Sequence, residues 1–158
     1  MANFVFNAAK GRAVQFYANV DANSPSGAEL VVILLASTGL ELQGPLEDAA
    51  TFAEVIDGTT NEATNTGYAR KVLVAADLST VDDGTSDNIV NLDIPDQTWT
   101  GVANDGTGGI GALVIGYDAS GAGTNSGIIP ISHHDFAVTP DGSDITAVIN
   151  ASGFFTAT

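Results

Sequence analysis

Ser132-His133-His134-Asp135 holds every residue type of a hydrolase triad within four positions. A working triad needs nucleophile, base and orienting acid to converge from separate elements, with donors for the oxyanion alongside. Neighbouring side chains of a strand point to opposite faces, so Ser132 and His134 share one face and His133 takes the other. Two imidazoles on opposite faces cannot close one coordination sphere either. The expectation is one histidine in solvent and one hydrogen-bonded within the fold, with neither catalysis nor metal binding. Gly106-Thr107-Gly108-Gly109-Ile110-Gly111 spells G-x-G-x-x-G, a fingerprint that works only where a strand leads into a helix whose first amides hold a pyrophosphate. Here Ala-Leu-Val-Ile-Gly-Tyr follows and reads as a strand, so a glycine-rich hairpin loop is expected.

The acidic run Asp82 to Asp87 offers oxygen ligands of the kind calcium takes, but without the ordered ligands of an EF-hand. It reads as a solvated turn whose side chains bond their own backbone. Nothing orders any two of the 19 acids as the carboxylate pair of a glycosidase. The chain has four lysines and arginines, Lys10, Arg12, Arg70 and Lys71. They are expected in internal salt bridges, since buried cations must be paired; the functional alternative is docking onto an acidic patch of a partner. Trp99, in Asp-Ile-Pro-Asp-Gln-Thr-Trp-Thr, is either core or an interface anchor. These five residues are the interface candidates; no catalytic, cofactor-binding or metal-binding residue is assigned, and no cofactor is expected.

The elements that position these residues are short. Strands are predicted at 29–36, 69–75, 88–94, 112–117, 128–133, 136–139, 145–150 and 154–157, where runs rich in Val, Ile and Leu lie between turn residues. Pro140 and Gly142 in Val-Thr-Pro-Asp-Gly-Ser-Asp-Ile predict a turn flanked by two antiparallel strands. Leu46, Ala49, Phe52, Ala53 and Ile56 recur at helical spacing, with Asp48 near the start and Gly58 after the end, which predicts a helix over 46–58. A second, weaker helical pattern covers 11–20. The expectation is therefore a mainly β chain, a β-sandwich or barrel-like antiparallel domain with one or two short helices. Residues 1–158 form one domain, and residues 1–12 are read as an N-terminal contact arm.

Composition bounds the partners. The formal net charge over 158 residues is −15. Nucleic-acid affinity draws on cations that neutralise phosphates, so four basic residues exclude it, and attraction to anionic lipid fails on the same count. A hydrophobic fraction of 44% with 15% charged residues is that of a folding chain, not a disordered acidic tail. There is no cysteine, hence no disulfide scaffold and no thiol chemistry. The longest apolar run, 30–36, is far short of the roughly 20 residues of a membrane span, and the first residues do not form a secretory signal. The chain reads as a soluble protein made in a cytoplasm.

Three blocks carry a resemblance: Tyr68-Ala69-Arg70-Lys71-Val72-Leu73, Asp93-Ile94-Pro95-Asp96-Gln97-Thr98-Trp99, and His133-His134-Asp135-Phe136-Ala137-Val138-Thr139-Pro140-Asp141-Gly142. With the terminal Ala151-Ser152-Gly153-Phe154-Phe155, they resemble small virion structural proteins of tailed bacteriophages, of the capsid decoration, cement or head-fibre type. The resemblance runs along nearly the whole chain and implies no active site. It implies a decoration protein on the outer capsid surface of a virion, made in the bacterial host cytoplasm. Its partners would be the major capsid protein and sister copies in a trimer. The alternative is a receptor- or carbohydrate-binding module on a head fibre or tail.

Overall fold

The computed structural model describes residues 2–78, 82–83 and 89–157. It is mainly β, with few and short helices. In chain order the elements are β1 (Phe4–Val5), α1 (Ala13–Asp21), β2 (Glu29–Ala36), α2 (Gln43–Glu47), α3 (Phe52–Val55), β3 (Lys71–Leu73), a 3-10 turn (Ala75–Asp77) and β4 (Asp82–Asp83). They continue with β5 (Val90–Leu92), β6 (Gln97–Trp99), β7 (Ile110–Asp118), β8 (Ile128–Val138), β9 (Ile145–Ala147) and β10 (Phe155–Ala157). Five strands form an antiparallel sheet in the order β1-β8-β7-β2-β3; β10-β5-β4 and β6-β9 are small separate sheets. The large sheet is open, with β1 and β3 at its edges, so the architecture is layered and not a closed barrel.

The central strands are apolar throughout because both their faces are covered. On β2, Leu30, Val32 and Leu34 join the core that includes α1, Leu92 of β5, Trp99 of β6 and Ile145 of β9. The alternate residues Val31, Ile33 and Leu35 pack with Leu46 of α2 and Phe52 and Val55 of α3. Strand alternation thus builds two cores from one strand. Gly116 of β7 makes room for the second: a Cβ there would lie 2.5 Å from the ring of Phe52.

Several expectations are corrected. The 46–58 stretch is not one helix. The sequence Thr51-x-x-Glu54 begins a new helix instead, with the Thr51 hydroxyl accepting from the Glu54 amide at 3.3 Å and the Glu54 carboxylate accepting from the Ala50 amide at 2.8 Å. Thr51 itself is extended, which breaks the helix. The weaker pattern near 11–20 gives the longest helix, α1, whose Ala13, Phe16, Tyr17 and Val20 are buried on one face. Residues 128–138 form one strand where two were expected. Pro130 is accommodated at a register shift opposite Gly116. The strands flanking Pro140 and Gly142 do not pair with each other: β8 pairs with β7 and β1, whereas β9 pairs with β6. The turn is held by the preceding loop, with the Gly142 amide on the Val102 carbonyl at 2.8 Å and the Val102 amide on the Ser143 carbonyl at 3.0 Å. Within the stretch read as a contact arm, residues 2–12 are tied to the fold, since β1 pairs with β8 and both Phe6 and Ala9 are fully buried.

Beyond Val32, β3 no longer pairs with β2, and residues 61–68 complete that edge. The Ala36 amide bonds the Asn61 carbonyl at 2.8 Å and the Ala63 amide bonds the Leu34 carbonyl at 2.9 Å. The Tyr68 hydroxyl accepts from the Leu34 amide at 3.2 Å and donates to Glu62 Oε1 at 2.8 Å. Burial, with the Glu62 charge beside it, pushes this phenol well above its ordinary range. Tyr68→Phe leaves a strand amide without its acceptor, so the expected loss of stability is about 1–3 kcal/mol, read as a lower urea midpoint at unchanged m-value.

Candidate functional site

β8 places the histidines as strand geometry requires. His134 lies opposite Leu113 and His133 opposite Val114, on the two faces of the sheet. Ser132 and His134 share a face, and His134 Nε2 lies 2.9 Å from Ser132 Oγ. The His134 ring meets Phe154 edge-on at 6.5 Å and lines a cleft of about 280 Å³ with Asn3, Phe136, Ile149, Asn150 and Phe154. Burial lowers the His134 pKa, so at neutral pH the ring is uncharged.

The chemistry open to this pair is narrow. Ser132 is 2% exposed, which keeps a substrate carbonyl from its hydroxyl. Asp135, next along the strand, projects to the face away from His134 and is exposed. Nucleophile, base and acid therefore do not line up; the Ser132–His134 bond satisfies two polar groups at the core margin. Among the described residues no group of three or more His, Asp or Glu is placed to hold a metal ion. Asp82–Asp87 falls largely outside the described residues; the backbone of Asp82 and Asp83 pairs with β5.

The expected split is corrected: the half-buried His134 carries the hydrogen bond, and it is the partnerless His133 that is sealed from solvent. His133 has no exposed surface, and neither of its ring nitrogens has a hydrogen-bond partner. Its ring lies flat against Phe4, with centroids 4.6 Å apart and planes 9° from parallel. Burial, helped by the neighbouring His134, pushes its pKa down to about 4.

The chain matches no protein-family model, no curated protein and no solved structure.

Each interface candidate is engaged within the chain. Lys10 bonds Glu47 and Asn7, and Arg70 makes a two-pronged ion pair with Glu62. The Arg12 guanidinium sits 4.6 Å from the Phe16 ring centroid and the Lys71 ammonium 5.6 Å from that of Trp99. Salt bridges were expected for all four; two instead lie over aromatic faces, where the ring quadrupole attracts the cation. Trp99 is core, 1% exposed, with its indole N–H donating to the Ala69 carbonyl at 2.7 Å. The structure does not bring the five together: Lys10 and Arg12 flank the start of α1, whereas Arg70, Lys71 and Trp99 cluster around β3.

The glycine-rich segment is a loop between β6 and β7, which belong to different sheets, so it is not a hairpin. It leads into a strand and so has no helix to cradle a phosphate. No local signal in the sequence marks the residue that organises it. The buried Asn65 side-chain amide donates to the carbonyls of Ala103, Asp105 and Gly108 at 2.8–3.0 Å, and its oxygen accepts from the Thr107 hydroxyl at 3.1 Å. Gly106, at φ +54°, passes so close that a Cβ would lie 2.7 Å from the Thr64 carbonyl oxygen.

Proposed function

We propose that this protein is a virion structural protein that binds the outer surface of a bacteriophage capsid as a decoration or cement protein. It stabilises the shell by interface burial, as a closed trimer, and performs no catalysis. The observation that carries the reading is the internal use of all four cations. With a formal net charge of −15 the chain is overwhelmingly acidic, which suits a coat whose particles must repel one another. A tightly tied glycine-rich loop and a sheet covered on both faces favour a preformed tile that loses little entropy when it docks. Val72 and Val74 by the edge strand β3, and Val148 beside the cleft, are 45–76% exposed and supply apolar area for such contacts.

The resemblance supports the same reading, because its blocks coincide with framework elements: Tyr68 and Arg70 around Glu62, Trp99 in the core, and β8 with the turn that follows. A decoration protein adds shell stability by binding the assembled state in preference to the dissociated one, and closed symmetry is the general rule for oligomers.

The test is to strip the protein from particles that carry it and add it back in purified form. Stripped particles should release their genome at a lower temperature, and re-addition should restore the original temperature at a saturating, fixed copy number. Particles of unchanged thermal stability, or location of the chain on a tail or fibre by cryo-EM, would replace this reading with the receptor- or carbohydrate-binding one.

A further inference from the structure

We propose that residues 2–12 form an acid-released strap: proton uptake by the His133 ring expels β1 from the edge of the central sheet and frees the segment while the rest of the sheet stays paired. The geometry is that of a buried base under a thin cover. β1 pairs with β8 through Phe4 opposite His133 and Val5 opposite Ser132, and the Phe6 amide bonds the Ile131 carbonyl at 3.0 Å. Phe4 lies flat over the ring. An imidazolium carries two N–H donors, both needing acceptors. Neither nitrogen has one, and Ala112 and Val114 of β7 on this face are apolar. The face of Phe4 attracts a cation but leaves both in-plane donors unsatisfied, so charging the closed state is costly.

The charges that act on His133 come from three places. His134 on the same strand opposes protonation, and Asp135 and the main chain of His133 itself favour it. Glu47 at the end of α2 and Asp48 just after it are engaged by Lys10 and Asn7 on the strap itself. The titrating groups on this face of β7 and β2 are Asp118, four residues beyond Val114, and Glu29 opposite it, with the Asp118 carboxylate held by the Ser120 and Gly123 amides. Burial outweighs all of these. Lifting β1 returns the ring to water and to its ordinary pKa. Because the closed-state pKa is the lower one, closure is favoured at neutral pH and loses ground as pH falls from about 6.5 towards 4. Opening uncovers the outer main-chain groups of β8 at Ile131 and His133.

Hydrogen exchange on the full-length protein at pH 7, 5 and 4, corrected for intrinsic rates, tests this. Residues 2–12 should lose about tenfold or more in protection between pH 7 and pH 4, while residues 30–36 and 112–117 keep theirs. His133→Phe retains an aromatic ring but takes up no proton, and its strap should stay protected at pH 4. Should that variant fail to fold, NMR titration of the His133 ring nitrogens in the wild-type protein replaces it, with the same midpoint expected for ring and strap. The proposal is overturned by a wild-type strap that stays protected at pH 4, by His133→Phe opening as the wild type does, by separate midpoints, or by loss of protection in all three segments together.

Discussion

Asn65→Asp should be among the most damaging single substitutions in this protein, costing about 4 kcal/mol, with Asn65→Leu somewhat milder at about 3 kcal/mol. The side-chain amide of Asn65 is the shared donor for the carbonyls of Ala103, Asp105 and Gly108. Leucine strips them of that donor in a buried site. Aspartate adds a carboxylate facing three carbonyl dipoles, and removing such a group from water raises its pKa. The sign follows: with a folded pKa above the unfolded value, the aspartate penalty grows as pH rises past about 4 and is relieved in acid, where the protonated carboxyl can donate. The leucine penalty has no such pH dependence. Urea unfolding followed by the single tryptophan, at pH 7 and pH 4.5, separates the two. An unchanged midpoint for either variant at pH 7 would show that the loop between β6 and β7 is held by something else.

Trp99→Ala should lower stability by about 4 kcal/mol, the cost of a cavity left by a large buried aromatic. The indole is 1% exposed, its N–H donates to the Ala69 carbonyl, and its face is covered by Lys71. Trp99→Phe keeps an aromatic face but abandons that carbonyl and part of the volume, so about 1–2 kcal/mol is expected. Circular dichroism in urea reads both. The phenylalanine variant also tests the placement of Trp99 against the interface alternative: once folded, it should bind stripped particles with wild-type affinity, since the indole has almost no surface to offer a partner.

What could be read along the chain was whatever depends on neighbours. β2 was legible to its ends because Glu29-Leu-Val-Val-Ile-Leu-Leu-Ala36 is an apolar run between turn residues, and a strand covered on both faces needs no alternation. The core of β7 was legible for the same reason. β8 was read as two strands because His134 and Asp135 interrupt its apolar pattern, yet it keeps pairing with β7 past both. Within 46–58 two helix signals compete: the apolar spacing predicts one continuous helix, whereas Thr51-x-x-Glu54 is a start signal inside the stretch, and the structure follows the latter. β1 and β6 are too short, at two and three residues, to carry a pattern of their own.

The candidate site was partly legible. That Ser132 and His134 share a face against His133 follows from alternation alone, and holds. That His133 would be sealed without a partner does not follow, because Phe4 lies 129 positions away by subtraction of residue numbers and arrives only through the β1–β8 pairing. Asn65 was one asparagine among several in polar loops, and nothing local marks it, since its acceptors lie 38 to 43 positions downstream.

By itself, then, the amino-acid order determined a mainly β chain, its acidity, and the lack of cations for nucleic acid or lipid, because composition and side-chain periodicity act within a few residues. Tertiary structure alone decided which strands pair, that two of the four cations lie on aromatic rings, that Trp99 is core, and that one histidine is bonded while the other is stranded. Those outcomes depend on which distant segment closes against which. Many pairings satisfy the same local pattern, and only packing both faces of one sheet at once selects among them.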